Sequence, residues 1–324
     1  MRPLYLPIFL TIFSFLTMQA QMDPTAFPRT ELRNKEIIMK LYLPDVQKGS
    51  YRATRFDWSG IIYSVQYKGH EYFAYWKDTH DPNFHEDLSG PAESYKDPGL
   101  GYAEARPGDG FIRIGVGVLK KEAEAQFDGF KTYEIIDHGA WKTDIKKKSI
   151  RFTHTVSSAL GYGYVYTKTI KLNKKQPGFT IEHTLKNTGT KRIQCDQFNH
   201  NFFIIDGEPS GPNLELEFPF ALSTDSDLKG LVKFEDKKLV FLQPFVKTSV
   251  WMQFKDFEST VENHQFTIRN KRSGGAVEVS VDRPLYRMDF WACQTTQSPE
   301  NYVWIDVEPG KTFTWNADYM LKAE

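Results

Sequence analysis

The sequence predicts an all-β protein, a large antiparallel β-sandwich, on three observations. Segments of five to ten residues rich in Val, Ile, Tyr, Phe and Thr recur between turn residues almost to the C-terminus. Within them apolar and polar residues alternate, as in residues 178–189, which is the period of a strand with one buried face. No linker or repeat divides the 324 residues, and a domain of about 300 residues suits two large sheets packed face to face. We therefore expect residues 21–324 to form one sandwich domain.

The predicted strands follow from this alternation and from the Gly and Asn residues between them. LKNTGTKR (185–192) is predicted to be a hairpin turn between two of these strands. Helical periodicity is confined to short pieces such as LKKEAEAQF (119–127). The clearest strand predictions are residues 60–69, 149–158, 164–172, 178–189, 238–244 and 276–284.

The first twenty residues, MRPLYLPIFLTIFSFLTMQA, have one early arginine, an apolar stretch and a small residue, Ala20. This pattern predicts a secretory signal peptide over residues 1–20 and a secreted or periplasmic protein that is free of the membrane after cleavage. A membrane anchor is the alternative, but the apolar stretch is shorter than the ~20 residues that span a bilayer. In an oxidising compartment Cys195 and Cys293 either form one disulfide or remain buried thiols.

Charge and motif content exclude several classes of function. Lys plus Arg (41) equals Asp plus Glu (41), so no net field attracts nucleic acid or an anionic membrane. No GxSxG, GxxxxGK[ST] or HExxH motif occurs, and the glycines of RIGVGVLKK (113–121) lie outside any βαβ unit. His80, His85 and Asp87 match no strong metal-ligand spacing. We therefore expect a neutral partner, no cofactor and no metal.

QFNHNFFIID (197–206) places a histidine in an apolar strand. Alternation puts Gln197, Asn199 and Asn201 on one face and Phe198, His200 and Phe202 on the other. Packing among rings desolvates His200, which can set its pKa for acid/base work near neutral pH. The alternative is a structural histidine whose ring bonds a backbone carbonyl.

Three segments carry a resemblance to a known family. Residues 179–206, FTIEHTLKNTGTKRIQCDQFNHNFFIID, are similar to the strand, turn and histidine strand of the galactose mutarotase (aldose 1-epimerase) superfamily. That family has an NHxYF motif, and this chain has NHNFF, with Phe202 in place of the tyrosine. YVWIDVEPGKTFTWNADYML (302–321) resembles the family's closing hairpin, and residues 55–73 resemble its early strand pair. The resemblance implies a divergent member with the family's supersandwich fold, a sugar substrate and His200 as the general acid.

The base that the resemblance implies is a glutamate in an LExQ-like pattern before the closing hairpin. The matching region, residues 288–310, lacks that pattern. Glu300 is the first candidate for the base and Glu93, in GPAES, the second, whereas Glu308 is expected to face solvent.

A further group of side chains is predicted to bind the sugar. YRATRFDWSG (51–60) supplies Arg55, Asp57 and Trp58, which offer bidentate hydrogen bonds and an aromatic face. The alternative is an arginine–aspartate pair that locks a strand entrance. Asn199 of the histidine strand is assigned to the same role, and residues 69–95 are predicted to form a lid or cleft wall.

Together these patterns favour an exported protein with aldose 1-epimerase-like acid/base chemistry on a mono- or oligosaccharide. A lyase or an epimerase of an oxidised sugar would use the same groups, because it also abstracts a proton beside a carbonyl. The remaining alternatives are a non-catalytic carbohydrate-binding sandwich that has lost the base and a purely structural exported domain.

Overall fold

The structure, a computed structural model, describes residues 24–324. The predicted signal peptide, residues 1–20, lies outside the described residues. In the described part the regular elements are all strands except for 3-10 turns at Pro24–Ala26 and Ile205–Gly207. The strands in chain order are β1 (Arg29–Arg33), β2 (Ile37–Tyr42), β3 (Ile62–Tyr67), β4 (His70–Glu71), β5 (Ala92–Tyr95), β6 (Gly110–Arg113), β7 (Gly117–Lys120), β8 (Ile135–Asp137), β9 (Ala140–Lys146), β10 (Ser149–Ser157), β11 (Gly163–Leu172), β12 (Gly178–Asn187), β13 (Ile193–His200), β14 (Leu214–Glu217), β15 (Val232–Glu235), β16 (Lys238–Phe241), β17 (Ser249–Gln253), β18 (Gln265–Asn270), β19 (Gly275–Val281), β20 (Arg287–Cys293), β21 (Gln297–Val307) and β22 (Thr312–Ala323).

Two large antiparallel sheets form the body of the protein. One has ten strands in the order β15-β16-β14-β18-β19-β22-β12-β11-β10-β9, and the other has five in the order β17-β20-β21-β13-β5. Apolar side chains of both sheets, including Ile181 of β12 and Ile305 of β21, are fully buried in one core. The Trp315 indole also donates to Gln197 across the sheets at 3.1 Å. The predicted β-sandwich is confirmed.

Two smaller sheets pack against this body, through contacts of β1 with β11 and of β7 with β10. One consists of β1 to β4 and the other of β6 to β8. Each of the six strand predictions coincides with an observed strand: β3, β10, β11, β12, β16 and β19. Alternation therefore located the strands correctly.

The two predicted hairpins are wrong. β12 pairs with β11 and β22, whereas β13 pairs with β21 and β5, so residues 188–192 cross between the two large sheets. The turn before β22 also crosses between the two large sheets, since β21 pairs with β20 and β13 of the five-stranded sheet. The buried Asn187 side chain holds the first crossing by donating to the carbonyls of Lys191 and Val307 at 2.7 and 2.8 Å.

The predicted helical piece at 119–127 is also wrong. Its first residues complete β7, which pairs with β6, and the rest forms bends. Gly115, just before this piece, has φ +79°, and a Cβ there would lie 2.6 Å from Asp57. Glycine is therefore required by conformation and close packing at this position.

The two cysteines are both free: Cys195 is buried and Cys293 is partly exposed. Of the two predicted states, one disulfide or two thiols, the structure has two thiols. Over residues 24–324 no helix is long and apolar enough to cross a membrane.

Candidate functional site

One face of the five-stranded sheet carries an unusual set of polar and aromatic side chains. The register pairs Glu300 of β21 with Asp289 of β20, and Trp251 of β17 with Trp291 of β20. Residues directly opposite in antiparallel strands point to the same side, as do alternate residues of one strand. The set on this face is Trp251, Arg287, Asp289, Trp291, Glu300, Tyr302, Trp304, Asp196, Phe198 and His200.

Part of this face lines a cleft of about 380 Å³. Carboxylates and cations supply hydrogen bonds to hydroxyl groups, and aromatic rings supply an apolar platform, which is the mixture expected of a sugar-binding site. Trp251 is 48% exposed, so its ring is open to a ligand. The lining includes acidic residues Asp196, Asp289 and Glu300, basic residues Arg55, Lys96 and Arg287, and aromatic residues Phe198, Trp251 and Tyr302.

His200 and Glu300, two of the predicted catalytic residues, are in contact. Nε2 of His200 lies 3.1 Å from Oε1 of Glu300, and their side chains are only 5% and 7% exposed. The imidazole stacks on Phe202 with ring centroids 3.7 Å apart and meets Phe56 and Trp291 edge-on. Glu300 forms part of the cleft wall, whereas His200 lies behind it.

Burial sets the protonation of this pair. It lowers the pKa of His200 well below the ordinary value, and the positive charge of Arg55 lowers it further. Burial, assisted by the negative charge of Asp289, raises the pKa of Glu300 to about 8. At neutral pH the proton therefore resides on Glu300, and the imidazole of His200 beside it is uncharged. The buried Nδ1 of His200 has no hydrogen-bond partner among the described residues.

Asp289 provides a second carboxyl group beside Glu300. It accepts from Nε of Arg287 at 2.9 Å, from Nη2 of the same guanidinium, and from the Tyr302 hydroxyl at 3.3 Å. Burial raises its pKa, and the contacts with Arg287 oppose that rise. A protonated and an arginine-paired carboxyl on adjacent strands are arranged as an acid and a base.

Glu93, the second predicted base, lies on the opposite face of the sheet. It pairs with Asn199 across β5 and β13, and its side chain is fully buried between the sheets. There it contacts His183 at 2.9 Å, Lys168 at 3.2 Å and the Tyr166 hydroxyl at 2.8 Å. Because it does not reach the cleft, we exclude Glu93 as a base for a ligand bound there.

Glu93 belongs to a buried ionic layer formed by Asp57, Glu93, Lys168 and His183. Lys168 lies 3.2 Å from both carboxylates. His183 faces the carbonyl of Trp315 on one nitrogen at 3.1 Å and Glu93 on the other at 2.9 Å. Lys168 is thus the cation that the two buried carboxylates share, and buried charges need such pairing. Against the effect of burial, His183 and Lys168 hold the pKa of Glu93 at about 2.

Of the four residues predicted to bind sugar, only Arg55 lines the cleft. Asp57 belongs to the ionic layer. The Trp58 indole is buried and donates to the carbonyl of Ala53 at 2.8 Å. Asn199 donates to the Tyr319 hydroxyl at 2.9 Å between the sheets. The structure therefore gives Asp57, Trp58 and Asn199 structural contacts.

Of residues 69–95, predicted to form a lid or cleft wall, Ser94 and Tyr95 line the cleft. Trp76 stacks on Phe202, with ring centroids 5.6 Å apart. His80 is held by Asp87 at 3.1 Å and by the Ser50 carbonyl at 2.8 Å. Within residues 24–324 no group of three His, Cys, Asp or Glu side chains is placed to hold a metal ion.

Comparison with known proteins finds likeness in structure alone. No known family profile and no curated protein sequence matches the chain. The Slr1438 protein of Synechocystis sp. PCC 6803 superposes with a TM-score of 0.57 at 12% identity, over 92% of this chain and 96% of that one. A galactose mutarotase related enzyme of Lactobacillus acidophilus gives 0.56 at 10% identity, over 91% and 99%. The chain has the galactose mutarotase-like fold. A galactose mutarotase-like protein of Lactobacillus casei ATCC 334 agrees, with 0.53 at 12% identity over 90% and 99%.

The sequence patterns did not single out Arg287, Asp289 and Tyr302. The first two lie in RMDFWAC (287–293), where Arg, Asp and Trp alternate with Met, Phe and Ala. Charged and aromatic residues on the outer face of an otherwise apolar strand were a signal for a polar cleft. Glu308, expected to face solvent, is 56% exposed at its side chain.

Proposed function

We propose that the protein carries out acid/base chemistry on a sugar bound in the cleft, of the kind an aldose 1-epimerase performs. The observation that supports this most is Glu300, a carboxyl group protonated at neutral pH in the cleft wall, 3.1 Å from an uncharged His200. A buried acid with a pKa near the working pH is suited to giving and recovering a proton.

The proposed step opens the sugar ring. Glu300 gives its proton to the ring oxygen while Asp289 takes the proton of the anomeric hydroxyl, and the bond between C1 and the ring oxygen breaks as the carbonyl forms. Reclosure on the other face of the carbonyl returns both protons and yields the other anomer. No oxidant or cofactor is needed, because one proton is gained and one is lost.

His200 takes a positioning role in this scheme. Its ring lies behind Glu300, where Nε2 faces Oε1 at 3.1 Å and holds that oxygen, so that the proton on the other oxygen is left for the sugar. This differs from the role implied by the family resemblance, in which the histidine itself protonates the ring oxygen. Burial favours the difference, because a histidine of strongly lowered pKa is a poor proton donor at neutral pH.

The test is proton NMR of freshly dissolved α-hexoses with wild type, Glu300→Gln, Asp289→Asn and His200→Asn. We expect accelerated α/β equilibration that falls at least a hundredfold in the first two variants, since acid/base groups contribute about 10²–10⁴-fold. His200→Asn should shift the pH profile of kcat. Glu308→Gln, an exposed glutamate on the same strand's terminal turn, is the matched control. Equilibration at the wild-type rate by Glu300→Gln would remove the proposed acid.

A second candidate, a non-catalytic sugar-binding protein, is favoured by one observation. The histidine that matches the family motif is only 5% exposed and does not line the cleft. Line broadening of a sugar without any interconversion would support this candidate over the enzyme.

We also propose that the protein is exported. Its support is the pattern of residues 1–20, a single arginine, an apolar stretch and Ala20. N-terminal sequencing of the mature protein should begin near Gln21; an intact N-terminus on cytoplasmic protein would contradict export.

A further inference from the structure

Arg55 is a largely buried cation without a hydrogen-bonding partner. Its side chain is 19% exposed, and its guanidinium carbon lies 4.9 Å from the ring centres of both Phe56 and Phe130. Its nearest carboxylate is Glu86, with Nη1 to Oε2 at 3.8 Å, longer than the ~3.2 Å limit of a hydrogen bond. Among the described residues the guanidinium makes no hydrogen bond. A buried guanidinium with five donors normally satisfies most of them.

The charge around Arg55 is not balanced. Glu86 is shared with Lys77, whose Nζ lies 3.7 Å from its other oxygen, so two permanent cations meet one carboxylate. Glu300 and His200 add no charge on this side, because one is protonated and the other neutral at pH 7. The carboxylate of Asp289, further along the cleft, is already matched by Arg287. Arg55 therefore has no carboxylate of its own.

We propose that the sugar recognised by this cleft carries a carboxylate, as a uronic acid does, and that Arg55 binds it. This rests on the proposed function for the placement of the sugar, and it names the substrate class. The two phenyl rings beside the guanidinium offer no hydrogen-bond acceptor, so its N–H groups remain for a ligand. Parallel N–H groups of a guanidinium match the two oxygens of a carboxylate.

A carboxylate fits this setting better than a phosphate. A phosphate monoester carries close to two negative charges near pH 7 and accepts through three oxygens, so it calls for a cluster of cations. Arg55 offers one positive charge. A planar monoanion matches it.

The experiment is isothermal titration of D-galacturonate and D-glucuronate against D-galactose and D-glucose, with glucose 6-phosphate as a further probe. Proteins are wild type, Arg55→Lys and Arg55→Met, with Arg33→Met, an exposed arginine of β1, as the control. We expect a uronate to bind wild type at least tenfold more tightly than its neutral hexose. Arg55→Met should abolish that ratio, Arg55→Lys should keep part of it, and Arg33→Met should keep it all. Circular dichroism and thermal melting check that each variant is folded.

Several results would overturn the inference: equal affinity for uronate and hexose, no binding of either, tighter binding of the phosphosugar, or an unchanged ratio in Arg55→Met. The anomer exchange measurements separate this from the proposed function. Fast exchange of neutral hexoses without uronate preference overturns only the inference. If uronate binding depends on Arg55 but no anomer exchange depends on Glu300, the inference is supported and the proposed enzymatic function is refuted.

Discussion

Replacing Glu300 with glutamine should stabilise the protein in a pH-dependent way. The pKa of the carboxyl group is raised by burial from 4.5 to about 8 in the folded state. Below pH 4.5 the group is protonated in both the folded and the unfolded state, so it has no effect on the free energy of unfolding. Between pH 4.5 and 8 only the unfolded state releases the proton, so stability falls as pH rises. Above pH 8 the carboxyl group is ionised in both states, and the folded state carries the full free-energy cost of burying its charge.

The size of this stabilisation follows from the pKa shift of Glu300. At pH 7 the difference from 4.5 is 2.5 pKa units, and at about 1.36 kcal/mol per unit this is about 3 kcal/mol. Glutamine has the shape of the protonated acid and cannot ionise. Glu300→Gln should therefore exceed wild type in free energy of unfolding by about 3 kcal/mol at pH 7 and by less than about 1 kcal/mol at pH 5.

Urea unfolding at pH 5, 6, 7 and 8, followed by circular dichroism, measures this difference. Glu308→Gln, at a position that is 56% exposed, should follow wild type at every pH. If wild type and Glu300→Gln lose stability in parallel as the pH rises, the carboxyl group is not held protonated, and its proposed role as the acid falls with it.

Three further predictions concern the scaffold. Lys168→Met should destabilise the protein by about 3–5 kcal/mol in urea unfolding, because it leaves two buried carboxylates without their cation. The control is Lys171→Met on the same strand, whose side chain is 44% exposed; it should cost less than about 1 kcal/mol. Phe202→Tyr, which restores the family's NHxYF motif, should lower the unfolding free energy by about 1–3 kcal/mol, because the new hydroxyl enters a site that is 0% exposed; an unchanged value would mean that a partner is present. A thiol reagent should modify Cys293 in the native protein and Cys195 only after unfolding, because burial raises the pKa of the Cys195 thiol to about 12; two native thiols reacting at one rate would contradict this.

Periodicity located the strands and the faces of β13, because alternation is a local property of the chain. The same local signal could not show that residues 188–192 join two sheets, since a hairpin and a crossing differ only in which distant strands pair. The contact of His200 with Glu300 depends on the adjacency of β13 and β21, for which the family resemblance was the available guide. Glu93 was misplaced because the four residues of β5 are all buried, so no exposed side identifies the cleft face.

The cleft lies on the outer face of the five-stranded sheet and the ionic layer on its inner face, and this limits how the protein can diversify. Substitutions at the cleft positions of β13, β20 and β21 change what the site recognises without touching the charges that hold the sheets together. Inserting or deleting one residue within β13 would exchange the two faces, turning Asn199 outward and His200 inward. Related proteins should therefore acquire new ligands by point substitution in these strands and change in length only in segments such as residues 69–95.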